Sequence, residues 1–353
     1  MRSDEGSLPQ ESVDVDEVDA PASERPGRRL ALRLVGYAVA AALLVWIGSM
    51  VLRNWQAVRS HEWHVRPLLL AASCLCLTAA RCLLPAGARR VLRVFGKDVP
   101  AAVCWRAYAL SQFAKYVPGG VWLFVARAYL YSRYGIARGA SGVVVVVEQA
   151  CSIAGGLLVF VASLPWFPTL RGTAWLWACP AAMLGVLAVL HPRVVSWAYN
   201  LVHPRVDGRR TELRVSYGGI LGLLVWYAVF WAAAGLSFCL LAAALTELPA
   251  RLRVAAAGMF SGACGLGFLV VVVPAGLGVR EGGLTGLLSL VYALPVAAAL
   301  TLAARLWWLA TDVAMWAASL GVLAWLEKRQ GAAGGAESGA AAPDPASSEG
   351  RDG

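Results

Sequence analysis

Apolar residues run along this chain in long blocks rather than in stripes. Blocks at about Leu34–Leu52, Pro67–Ala86, Ser141–Leu164, Gly172–Leu190, Tyr217–Leu245 and Pro295–Leu326 reach the roughly 18–20 residues with which an α-helix crosses a bilayer. No ten-residue alternation of apolar and polar positions marks a β-barrel. The pattern predicts an all-α polytopic membrane protein with about six full spans.

Two further apolar stretches are interrupted. Residues 101–117 carry Arg106 and Lys115 and run into Pro118-Gly119-Gly120, after which 121–134 continue apolar around Arg127. Residues 254–292 are broken at Pro274, Gly276 and Gly278, directly before Arg280-Glu281. Proline and glycine interrupt a helix, and broken backbone at membrane depth survives only where protein or a water-filled cavity satisfies it. Halves of about 14–17 residues are short of a full span. Both stretches therefore read as re-entrant helical hairpins.

Counting spans supports the hairpins. If each returns to its side of entry, the basic segments 87–100 and 191–215 and both termini share the cytoplasmic side, with 53–66, 165–171 and 246–253 opposite. If each crosses once, the five-Arg segment 191–215 falls outside, against the positive-inside rule. Three spans separate the hairpins, so they enter from opposite faces. Pro118 precedes Glu148 by 30 residues and Pro274 precedes Arg305 by 31, a spacing that fits an inverted repeat in which an acid answers a base. Two unrelated kinked helices are the alternative.

Composition agrees: 59% of residues are hydrophobic and 15% charged. The net charge of +10 hides two acidic tails. Residues 1–27 and 331–353 read as disordered by composition, leaving a transmembrane domain at 28–330. Without residues 1–24 and 331–353, the remainder has 29 basic and nine acidic residues, a net of +20. Such a surface suits anionic lipid headgroups as well as cytoplasmic orientation. Arg28, Arg29 and Arg33 before the first span place the N-terminus in the cytoplasm. No signal peptide is expected, because about 30 polar residues come first. The eight cysteines all fall in or beside apolar segments and suit packing better than disulfides. His61 and His64 flank Glu62-Trp63 without an evident third metal ligand, and fit the headgroup level. Pro192 suits the first turn of a short interfacial helix over 193–202.

Charges inside spans are costly and usually mark a site. Half-helix N-termini offer N–H donors to phosphate or carboxylate, and Gly119, Gly120, Gly276 and Gly278 allow close approach. Lys115, Arg127, Arg280 and Arg305 suit phosphate, with Glu148, Glu281 and Asp312 as counter-ions or amine contacts. Arg305 and Asp312, seven apart, share a helix face with Trp308. The competing reading pairs these charges in a dry core. Arg81 near a span end is expected to snorkel, and it and Arg106 read as structural.

The segment Gln112-Phe113-Ala114-Lys115-Tyr116-Val117-Pro118-Gly119-Gly120-Val121-Trp122 with Arg127, then Glu148-Gln149, then Pro274-Ala275-Gly276-Leu277-Gly278-Val279-Arg280-Glu281 resembles the motifs of the lysylphosphatidylglycerol synthase transmembrane family over roughly 30–327. The resemblance implies a flippase-like lipid-translocating domain and adds Tyr116, Pro118, Gln149 and Pro274 to the substrate-binding set. Relatives with a C-terminal aminoacyltransferase domain need more chain than the roughly 25 residues that follow the last span here, so aminoacyl transfer is not expected.

The expected function is movement of a polar or anionic lipid, phospho- or polyprenyl-linked, between leaflets of the cytoplasmic membrane. The alternatives are a membrane-embedded transferase with Glu148 or Glu281 as base and a non-catalytic partner of a separate synthase or glycosyltransferase. No Walker-type motif appears, and no cofactor, metal or nucleic acid is expected.

Overall fold

The structure is a computed structural model describing residues 55–112, 122–132, 138–167, 175–202, 215–269 and 278–315, with isolated positions at 45, 49, 52 and 317. Every regular element among these residues is helical. In chain order the principal helices are α1 (Pro67–Arg81), α2 (Leu83–Val94), α3 (Ala101–Gln112), α4 (Trp122–Ser132), α5 (Arg138–Ser163), α6 (Trp175–Val189), α7 (Pro192–Val202), α8 (Tyr217–Leu245), α9 (Arg253–Leu269), α10 (Val279–Leu288) and α11 (Leu294–Met315). Five stretches of the described residues are long and apolar enough to cross a membrane: Pro67–Val94, Ala140–Trp166, Tyr217–Leu245, Ala250–Leu269 and Leu294–Met315. The chain is an all-α polytopic membrane protein.

The predicted span at Leu34–Leu52 and both tails lie outside the described residues, apart from isolated positions. The span predicted at Gly172–Leu190 is described only as the 15-residue α6.

Helix runs further along the chain than predicted after Ala86. Pro67 sits in the first turn of α1, where its missing N–H costs nothing. Cys82 keeps helical dihedrals, and α2 carries on to Val94. Ala88, Val91 and Leu92 are buried on one side of α2, while Arg89 and Arg93 reach Asp98 at 3.2 and 3.1 Å on the other. The basic segment after Ala86 is thus an amphipathic helix closed by a turn. Gly96, with φ of 71°, ends it in a conformation that favours glycine.

Helices α5, α8 and α9 pack against one another at the centre. The contacts are backbone-close: a Cβ on Gly155 would lie 2.7 Å from the Tyr227 carbonyl carbon, and one on Gly235 2.7 Å from the Ala257 oxygen. Small residues drive such packing where lipid removes the hydrophobic incentive. Outward, α8 exposes Leu221, Val225, Val229 and Leu236, an apolar stripe suited to lipid tails. Buried side chains form two large clusters. One gathers α2 to α7 around the first parts of α5 and α8, and the other gathers α1, α9, α10 and α11 around their later parts.

Local contacts sort the connections to two ends. At the basic end, Phe95 packs on Tyr199 with ring centroids 5.0 Å apart. There His191 Nε2 also meets the Tyr217 hydroxyl at 2.8 Å. At the opposite end the His64 N–H donates to Leu245 O at 3.1 Å, and the Tyr292 hydroxyl meets Thr246 at 3.0 Å. The α9–α10 segment starts and finishes at that opposite end. A Cβ on Gly267 would lie 2.8 Å from that of Arg280, and one on Gly283 would lie 3.8 Å from that of Ala263. As one number rises the other falls, so the two helices run antiparallel and the chain turns back. The hairpin is lopsided: α9 with its preceding turn is 20 residues long, more than the expected half, whereas α10 has ten. Helices α3 and α4, of 12 and 11 residues, are both too short to span and pack together. The apices 113–121 and 270–277 lie outside the described residues.

Candidate functional site

Arg127 is delivered by α4 to the middle of α5, where Glu148 meets it. Nη1 donates to Glu148 Oε1 at 2.5 Å and Nε to Ser111 Oγ at 3.0 Å. The guanidinium carbon lies 4.2 Å from the centre of the Tyr108 ring, a cation–π contact. Arg127 and Glu148 are 2% and 4% exposed, so two charges have been taken out of solvent and depend on each other. The arrangement is not saturated. Among the described residues, Arg127 Nη2, Glu148 Oε2 and the hydroxyls of Tyr131 and Tyr227 are buried without a hydrogen-bond partner. Buried polar groups are nearly always satisfied, so this cluster is set up for something polar.

A second pair faces it. Arg81 Nη1 donates to Asp312 Oδ1, and Nη2 to the Trp308 carbonyl at 3.1 Å. Its guanidinium also covers the Trp308 ring at 4.2 Å. Arg81 was expected to snorkel to the interface. It is instead buried at 2% exposure, because Asp312 and the Trp308 ring supply in the interior what water would supply at the surface. Both ion pairs line one cavity of about 60 Å³, together with Gln112, Gln149 and Ser152. That volume holds a few water molecules and no lipid headgroup. The cavity lies where the two clusters meet, between Glu148–Ser152 of α5 and Tyr227–Trp231 of α8.

A third pair lies on the second hairpin. Gly278, with φ of 83°, starts α10. Its N–H donates to Glu281 Oε2 at 2.6 Å, so the carboxylate caps its own helix. Arg305 Nη1 stands 3.2 Å from the other oxygen, aligned short of a hydrogen bond. Arg280 is buried, 4.5 Å above Trp308 and 5.4 Å from Phe260. Among the described residues no carboxylate pairs with it. Trp308 therefore carries Arg81 and Arg280 together and couples the second hairpin to the cavity.

Of the predicted site residues, Arg127, Glu148, Gln149 and Asp312 line the cavity, and Arg280 adjoins it through Trp308. Gly278, Glu281 and Arg305 form the cap and its brace away from the cavity. Arg305 and Asp312, expected on one helix face with Trp308, meet different partners, Glu281 and Arg81. Lys115, Tyr116, Pro118, Gly119, Gly120, Pro274 and Gly276 lie outside the described residues. The residues missed were Arg81, Tyr108, Ser111, Tyr131, Tyr227, Trp231 and Trp308. Arg81 had a usable signal, since a basic residue in an apolar run needs an acid and Asp312 was already a candidate counter-ion. Arg106 is exposed and takes no part.

At the end opposite the basic cluster, a wider groove of about 670 Å³ lies between Trp166, Glu247, Arg251 and Tyr292. No three His, Cys, Asp or Glu side chains among the described residues converge as a metal site.

No curated protein is significantly similar to the chain. The sequence profile described as the lysylphosphatidylglycerol synthase TM region matches residues 33–324. That match takes in the hairpins, the three ion pairs and the cavity, points to a membrane protein related to lipid modification or translocation, and shows that the chain belongs to this family.

Proposed function

We propose that this protein moves a polar, anionic lipid between the leaflets of the cytoplasmic membrane, with the headgroup passing through the cavity between the two hairpins. The observation that carries this reading is the incompletely satisfied Arg127–Glu148 pair facing Arg81–Asp312 across one small space. A phosphate offers a guanidinium two anionic oxygens as a carboxylate does, so it can replace Glu148 at Arg127 and Asp312 at Arg81. Arg280 over Trp308 is the next cation along. The tails stay in the bilayer against the apolar outer faces. The cavity is too small for a headgroup, so transport requires the α4–α5 and α1–α11 contacts to part in turn. The wide groove at Trp166 and Arg251 is the vestibule on the far side. By the distribution of basic residues, the α2 and α7 end faces the cytoplasm.

The test is translocation in proteoliposomes of headgroup-labelled anionic phospholipid and polyprenyl phosphate. Wild type should move at least one of them, and Arg127→Ala should lose about tenfold or more of the rate, as expected for deleting a charged hydrogen bond. No movement of any lipid by wild type contradicts the proposal. A covalent product from a lipid-linked substrate would replace it with the transferase reading.

A further inference from the structure

We infer that Glu148 is a proton-binding site, and that each anionic headgroup seated at Arg127 is accompanied by one proton taken up on the Glu148 carboxylate. The inference rests on the lipid reading above and deepens it by naming what accompanies the lipid.

Charge balance leads there. Among the described residues Arg127 has a single carboxylate partner, Glu148, and the pair is closed to solvent. When a phosphate monoanion takes over the guanidinium, the carboxylate is left with no counter-charge in a dry site. An uncompensated buried charge costs several kcal/mol, and a carboxylate removes it by taking a proton. One anion enters, one proton joins, and the site keeps its net charge.

Among the described residues the surroundings allow this proton and offer no rival cation to Glu148. From α4 it faces Arg127 and Tyr131, from α3 Tyr108 and Cys104, from α8 Tyr227, and on its own helix Cys151. Arg81 of α1 and Asp312 of α11 stand across the cavity, occupied with each other. Arg89 and Arg93 of α2 turn away to Asp98. Tyr199 of α7 lies against Phe95, α6 contributes Met183, and α9 meets α5 through Gly262 and Gly265. Glu148 Oε2 is the carboxylate oxygen left without a hydrogen bond, so it is the atom that takes the proton. The Tyr131 and Tyr227 hydroxyls, equally unpartnered, lie in the same polar cluster, and the cavity has room for the few waters that would carry the proton in.

The experiment uses the full chain in a weakly buffered detergent solution with a pH-indicator dye. Phosphatidylglycerol in mixed micelles is added, and bound lipid and protons are counted together. About one proton should be taken up per headgroup bound, with a new protonated-carboxyl band in the infrared difference spectrum. Glu148→Gln should show neither signal per headgroup bound, and Glu148→Asp should keep the uptake and shift the band. Binding without proton uptake overturns this inference alone. Uptake that survives Glu148→Gln also overturns it, by placing the proton elsewhere. No binding of phosphatidylglycerol to wild type overturns it together with the lipid reading.

Discussion

Each hairpin sets an ion pair between its returning half-helix and the long helix that follows, and the charges are reversed. On the first, Arg127 of α4 meets Glu148 of α5; on the second, Glu281 of α10 meets Arg305 of α11. The settings differ more than the pairing does. Arg127 and Glu148 are both sealed from solvent, line the cavity and leave one donor and one acceptor idle. Glu281 spends an oxygen on capping its own helix, and its arginine keeps 17% of its side chain exposed. Two hairpins with reversed charges thus hold a pair on the cavity in one case and a helix brace in the other. In the function proposed above, it is the pair on the cavity that trades its partner for a ligand.

The largest effect should come from Arg127→Ala. It leaves Glu148 buried without its counter-charge, at a cost of about 3–5 kcal/mol, read as a lowered unfolding midpoint in detergent. Removing both groups with Arg127→Ala/Glu148→Ala should recover most of that stability without restoring transport. A double variant no more stable than the single one would break the distinction between poise and brace.

Glu281→Leu deletes the cap at Gly278 and should cost about 1–2 kcal/mol, whereas Glu281→Gln keeps an acceptor and should cost less. Equal losses in the two would mean that the pair with Arg305, and not the cap, is what Glu281 supplies.

The central packing tests the frame that holds both pairs. Gly155→Ala places a methyl against the Tyr227 backbone and should cost about 1–3 kcal/mol by overpacking. Gly185→Ala, with nothing within 4 Å, should be near neutral in the same unfolding assay.

The smallest effect is at the basic end. A hydrogen bond from Arg93 and its charge, with Arg89 behind, hold the Asp98 carboxyl below its ordinary value. A depressed carboxylate stabilises above its unfolded pKa and loses that contribution as the pH falls through the lowered folded value. Wild type should therefore shed a small advantage over Asp98→Asn only below about pH 4, seen as converging unfolding midpoints.

Much of this was legible in the sequence. Unbroken apolar blocks such as Tyr217–Leu245 can do little except cross a bilayer, and the structure returns that helix over the same residues. Helix breakers next to charges marked Arg127, Arg280 and Glu281, and the like spacing put an acid, Glu148, where the other half has a base, Arg305. Partner choice was not legible. Arg81 and Asp312 are separated by 231 residues, and nothing local records that two helices so distant in the chain bring them together. Nor could spacing show that Glu281 would cap α10, because that depends on Gly278 adopting a positive φ. The tyrosines around Glu148 carry no local signal either, because three separate helices, α3, α4 and α8, bring Tyr108, Tyr131 and Tyr227 to it.

The most direct test compares Glu148→Gln with Glu281→Gln in the same proteoliposome assay, with rates divided by the amount of folded protein. The account predicts that Glu148→Gln loses about tenfold or more of the translocation rate, while Glu281→Gln stays within about twofold of wild type, since an amide oxygen still caps the helix. Equal losses in both, or a greater loss in Glu281→Gln, would contradict the assignment of the headgroup site to the cavity.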